Sequence, residues 1–158
     1  MQTPPLPPNA EKPDAHLLED LAGLTGLFNP EVIWQEQRQL GETEQQQDLI
    51  RKIYAAFNAR DIPTILAVFD PQVRWSRAWE GDYAVGHEQV RDYWLRQWQE
   101  LDPHVEPTGF ARRENGQLEV TVQQRVKDLQ GHVVFDGLVK HLYTIEEGVI
   151  KQMDIEKA

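Results

Sequence analysis

The sequence predicts an α+β fold: helices come first and a run of antiparallel strands follows. Three observations carry this. In 49–75, LIRKIYAAFNARDIPTILAVFDPQVRW, residues Ile50, Ile53, Tyr54 and Phe57 recur at i, i+3, i+4 and i+7, the spacing of an amphipathic helix. A second helical pattern, with Val90, Trp94 and Trp98 near one face, runs from about His87 to Glu100. Beyond it, turn signals at Glu114-Asn-Gly-Gln117, Leu129-Gln-Gly131 and Glu146-Glu-Gly148 separate strands near 105–113, 117–128, 132–145 and 149–157, an antiparallel meander.

The elements follow in order. Residues 1–13, MQTPPLPPNAEKP, hold five of the ten prolines and read as a disordered or polyproline-like arm. Residues 14–43 read as a helical extension. Leu17, Leu18, Leu21, Leu24, Leu27 and Phe28 form a stripe despite Gly23 and Gly26, and Val32, Ile33 and Leu40 suggest a short second helix ending at Gly41. Such a stripe needs something to cover, either its own domain, a sister subunit or another protein. Thr43-Glu-Gln-Gln46 has the form of a capping box opening the long helix of a domain over 44–158. Asn58-Ala-Arg-Asp61 ends that helix. Asp61 is placed to cap a short helix with Pro63 in its first turn and Ile62, Ile65, Leu66 and Phe69 on its apolar face, which Asp70-Pro71 breaks. A first strand runs to Trp75, a loop occupies 78–86, and Asp102-Pro103 is expected to stop the helix before it.

Composition excludes several classes. The chain of 158 residues suffices for a core without staples, and it has no cysteine, hence no disulfide, thiolate chemistry or Cys-based zinc site. The net charge of −10 argues against nucleic acid or an anionic membrane as partner. Neither a signal peptide nor a membrane span is expected, and a cytoplasmic location is the default. The five histidines show no close pair at metal-ligand spacing, so no metal is expected. Phosphate-binding glycine motifs and the nucleophile elbow are missing from the sequence, which supports neither a nucleotide cofactor nor a serine hydrolase.

Between about Gln47 and Ile155 the chain resembles the SnoaL-like and ketosteroid-isomerase-like branch of the nuclear transport factor 2-like superfamily. The resemblance is carried by YAAFNARD (54–61), FDPQVRW (69–75), WEG (79–81), VRDYW (90–94), DPHVEP (102–107) and HLYTIEEGVIKQMDI (141–155), in that order and spacing. It implies a cone-shaped curved antiparallel sheet, a cystatin-like α+β barrel, wrapped around the N-terminal helices and enclosing an apolar chamber, and a homodimer formed through the outer sheet face. That outer face would carry Leu138 and Leu142 around Lys140. It does not bring the isomerase triad, a helix tyrosine, a strand aspartate as base and a second aspartate as hydrogen-bond donor. On the Asn-Ala-x-Asp turn the tyrosine position falls on Ile53, with Tyr54 one residue off and about 100° around the helix. The base position falls on Arg77, and the donor position on Lys140 or, with a turn one residue shorter, on His141. The Asp-Arg-Asp relay of limonene epoxide hydrolase-like members has no clear counterpart either.

Strand parity gives the expected lining. Val120, Val122, Gln124 and Val126 share one face; Val133, Phe135, Val139, His141 and Tyr143 share another; Val73, Trp75 and Arg77 go together. Turning the apolar rows inward places Trp75, Arg77, Gln124, His141, Tyr143 and Met153 around one cavity closed by the helix face that carries Tyr54. His141 is either a hydrogen-bonded core histidine or a general acid/base, with Gln124 as its structural partner or as a donor to an oxyanion. Arg77 either anchors an anionic substrate or sits at the rim paired with Glu80 or Asp82. Trp75 and Trp79 are expected as core or pocket wall, and Tyr54 as core with a hydroxyl able to reach the chamber. Two functions follow as expectations. One is acid/base conversion of a small hydrophobic, polyketide- or steroid-like molecule in an open chamber, by an isomerase, cyclase or dehydratase-type lyase without cofactor. The other is a non-catalytic ligand-binding or association domain that uses the N-terminal extension.

Overall fold

A computed structural model describes residues 30–78 and 80–158. The polyproline-like arm and the leucine stripe over 14–28 lie outside the described residues. The chain divides into two compact units, Met1–Gln47 and Asp48–Ala158. In the first, the described residues are helical, and the helix runs without a break into the second unit as α1 (Pro30–Asn58). The stop at Gly41 and the new cap at Thr43 expected from the sequence are therefore corrected. A single interior glycine costs only about 1 kcal/mol against alanine, too little to end a helix with residues on both sides to carry it.

The second unit holds the rest. Ile50, Ile53 and Tyr54 of α1 are buried, as the periodicity requires. The helix ends in a Schellman arrangement: the Asp61 amide donates to the Ala56 carbonyl at 2.8 Å and the Arg60 amide to that of Phe57 at 2.9 Å. Arg60 takes the left-handed position (φ 62°) that glycine usually fills. Asp61 then caps α2 (Ile62–Leu66), accepting from the Thr64 hydroxyl at 2.6 Å, and buries Ile62 and Ile65.

Strand β1 (Phe69–Arg77) pairs with β2 (Asp82–Val85) in a hairpin that occupies part of the expected 78–86 loop. At four residues β2 is too short to leave an alternation signal in the sequence. It is followed by α3 (Gly86–Trp98), which buries Val90 and Trp94 and packs on β1 and β2. The helix ends before Asp102-Pro103, which lies instead in β3 (Leu101–Arg112). β3 is an edge strand, where proline costs no ladder hydrogen bond. β4 (Leu118–Asp128), β5 (Val133–Glu146) and β6 (Val149–Lys157) complete the meander, closely matching the expected strands.

The sheet order is β2-β1-β6-β5-β4-β3, with β1 and β6 parallel and the other neighbours antiparallel. The expected antiparallel, barrel-like sheet is thus corrected to a mixed and unclosed one, because the chain returns to its first strand from the far end of the domain. Register irregularities in β1, β3, β4 and β5 add twist and curvature. The concave face gathers the core, including Val120, Val122, Tyr143 and Met153. The outer face is lined by ion pairs: Arg113 bridges Glu119 and Glu156, and Lys140 also reaches Glu119. Among its leucines, Leu138 is exposed and Leu142 is buried. At the free edge, the Asn58 side chain bonds both backbone groups of Val105, donating at 2.8 Å and accepting at 3.0 Å. It acts as a one-residue strand partner that ties α1 to β3.

Candidate functional site

The concave face, α1 and α3 enclose a cavity of about 250 Å³. That is just under the roughly 300 Å³ at which ordinary small-molecule sites begin. Its aromatic wall is fixed by ring packing: Trp75 stacks on Phe69 at 5.3 Å between centroids and meets Trp94 edge-on at 5.4 Å. These indoles form one side and do not fill the space.

One polar assembly lies within the apolar wall. The Tyr54 hydroxyl, projected from α1, lies 2.5 Å from Nδ1 of His141 and 2.8 Å from the hydroxyl of Tyr143, both on β5. All three side chains are buried. β5 brings His141 and Tyr143 to the same face because they are two residues apart. The direction of the chain follows from counting protons. If Tyr143 donates to Tyr54, and Tyr54 to Nδ1, the one proton left over is Nε2–H, on a residue that lines the cavity and can offer it to whatever enters. Reversed, Nδ1–H would donate to Tyr54 and Tyr54 to Tyr143, leaving the fully buried Tyr143 proton with none. Nδ1 is therefore the acceptor and Nε2 carries the ring proton. Nε2 has no hydrogen-bond partner among the described residues, and His141 lines the cavity. Burial pushes the His141 pKa down to about 4, so the ring is neutral at neutral pH. Burial also raises both tyrosines, with Tyr143 contributing further to the rise at Tyr54.

The other expected site residues fall as follows. Trp75, Gln124 and Met153 line the cavity. Gln124 does not bond His141; Tyr54 does, which corrects the expected partnership, and the Gln124 amide has no hydrogen-bond partner among the described residues. Tyr143 sits behind the wall and reaches the site through Tyr54. Arg77 is not brought to the cavity. Its guanidinium forms a fork with Asp82, at 2.7 and 2.6 Å, and reaches Glu80 at 2.7 Å. These acids hold its pKa up, the Asp82 hydrogen bonds foremost. Trp79 lies outside the described residues. Unforeseen lining residues are Tyr93 and Gln97 of α3 and Lys157 of β6. Two signals could have found them: Gln97 stands one helical turn after Tyr93, and Lys157 continues the inward row of Met153 and Ile155. No group of three His, Cys, Asp or Glu side chains that could hold a metal occurs among the described residues. Nor is any helix among them long and apolar enough to cross a membrane.

The model of the SnoaL-like domain family matches residues 50–153, which contain α2, α3, β1 to β5 and most of β6. The chain belongs to the SnoaL-like family. Solved structures agree on the fold of this SnoaL-like protein. A nuclear transport factor 2-like protein of unknown function from Burkholderia pseudomallei is 21% identical, with a TM-score of 0.62 over 72% of this chain and 91% of that one. TerC, co-crystallised with polyporic acid, is 21% identical with a TM-score of 0.63 over 72% and 92%. A candidate polyketide cyclase from Sinorhizobium meliloti is 16% identical with a TM-score of 0.58 over 69% and 94%. No curated protein matches the chain. The SnoaL-like domain thus has the nuclear transport factor 2-like cone, with a Tyr-His-Tyr assembly in its chamber.

Proposed function

We propose that the SnoaL-like domain binds a small, flat, mostly apolar molecule in its chamber and acts on it by acid/base chemistry, with an oxygen of the ligand accepting from Nε2–H of His141. The observation that carries this is the unpartnered Nε2 of a buried histidine lining an aromatic cavity. The Nε2–H is open to the cavity, and a ligand carbonyl or enol oxygen could accept from it. A neutral imidazole N–H fixed in direction stabilises negative charge growing on that oxygen without reorganising. Tyr54 and Tyr143 polarise and orient the ring. They do not conduct a net proton, because that would leave a buried tyrosinate in a site that resists it. Polyporic acid in TerC is a precedent for a small molecule held by this fold.

A second reading, binding without turnover, is favoured by one observation. No Asp or Glu occurs among the described lining residues, and a histidine with a pKa of about 4 is a weak base. One experiment separates the two. The methyl protons of 2-acetonaphthone in D₂O are followed by NMR in the presence of the protein. Exchange above the buffer rate that disappears in His141→Ala, with the ketone still bound, supports acid/base chemistry. Binding without exchange supports the second reading, and no binding sinks both.

A further inference from the structure

The charge in the chamber is one-sided. Among the described lining residues, Lys157 is the only one with a formal charge; no carboxylate faces it there, and it forms no ion pair. Its position is set by the sheet. Lys157 pairs with Val139 while Ile155 pairs with His141, so on the concave face Lys157 stands one pleat from the histidine toward the end of β6. Gln124, opposite Gly137 on the neighbouring strand, adds an unpartnered amide from the third side. Three adjacent strands thus present an imidazole N–H, an amide and an ammonium to one apolar space, in a chain whose net charge is −10. A negative protein gains nothing in general attraction for anions, so an exposed cation lining a chamber that also holds two donors is a local preference.

Building on the reading above, we infer that the ligand is a monoanionic planar aromatic oxygen acid, with its ring against the Trp75 wall and its anionic oxygen between Lys157, Gln124 and Nε2–H of His141. Charge-assisted hydrogen bonds are the stronger kind, and because Lys157 is exposed the ionic one is sensitive to salt. Lys157 is exposed and lines the cavity, so its apolar stem can follow the wall while its ammonium stays hydrated at the mouth. Neutral ligands of the same shape would keep the ring contacts and lose the ionic one.

The test uses 2-naphthoate and its uncharged isostere 2-acetonaphthone, titrated calorimetrically into the full chain at pH 7 and low salt. The expected result is a naphthoate preference of about tenfold or more, which falls as salt is raised and collapses in Lys157→Met. Circular dichroism checks that this variant keeps its fold. Equal affinities for the two probes would overturn the anion preference and leave the chamber's binding role standing. A preference that survives Lys157→Met would overturn the assignment of Lys157. Failure of both probes to bind would overturn both this inference and the reading it rests on.

Discussion

The Tyr54 hydroxyl on α1 is 2.5 Å from Nδ1 of His141 on β5, a contact that spans 87 positions of sequence. It closes the helix layer onto the sheet and fixes which ring nitrogen faces the chamber. The donor that His141 offers a ligand depends on this contact.

Removing it isolates its contribution. Tyr54→Phe keeps the ring packing but leaves Nδ1 and the Tyr143 hydroxyl without their shared partner. The variant is expected to lose about 1–3 kcal/mol of stability in urea denaturation, the usual cost of orphaning buried polar groups. Tyr143→Phe should cost less, since it removes the terminal donor and leaves the Tyr54–Nδ1 bond intact.

The pH dependence of stability follows from His141. Its folded pKa, about 4, lies below the ordinary 6.5, so between these values the unfolded chain binds a proton that the folded one refuses. Stability is complete above about pH 6.5 and falls as the pH drops toward 4. The loss from this group is on the order of 3 kcal/mol. Because carboxylates also titrate near the lower end, the measurement is the difference in urea stability between the native chain and His141→Asn at each pH. That difference should narrow steadily from pH 7 to pH 4.

Asn58 supplies a different prediction. Its amide satisfies both backbone groups of Val105 on the edge strand. Asn58→Ala should lower stability by about 1–3 kcal/mol and raise amide hydrogen exchange first at Val105 and its neighbours in β3.

Arg77 is expected to be dispensable for binding. Its guanidinium is committed to Asp82 and Glu80 at the rim. Arg77→Met should leave the affinity for 2-naphthoate unchanged and have only a small effect on thermal stability, as is usual for rim ion pairs.

Most of the fold was legible because it is written in local patterns. The 3.6-residue face around Ile53, the Asp61 cap and the alternation along β4 and β5 each act within one element. The parallel pairing of β1 with β6 leaves no such local mark, since it joins the two ends of the domain. The candidate site was half legible for the same reason. Parity put His141, Gln124, Trp75 and Met153 on the inner face, and all four line the cavity. It could not show that Tyr54, rather than Gln124, meets the histidine. That depends on how α1 is rotated over the sheet, and an apolar face holding Ile50, Ile53, Tyr54 and Phe57 is wide enough to permit several rotations. For Arg77 parity left two placements open, an anchor in the chamber or a rim pair with Glu80 or Asp82, and its fork with Asp82 and contact with Glu80 select the second.

The most direct measurement is the tautomeric state of His141, read from long-range ¹H–¹⁵N correlations of its ring at pH 7 and followed to low pH. The expected result is an unprotonated Nδ1, a proton on Nε2, and titration near pH 4. A proton on Nδ1, or a ring already charged above pH 6, would contradict it.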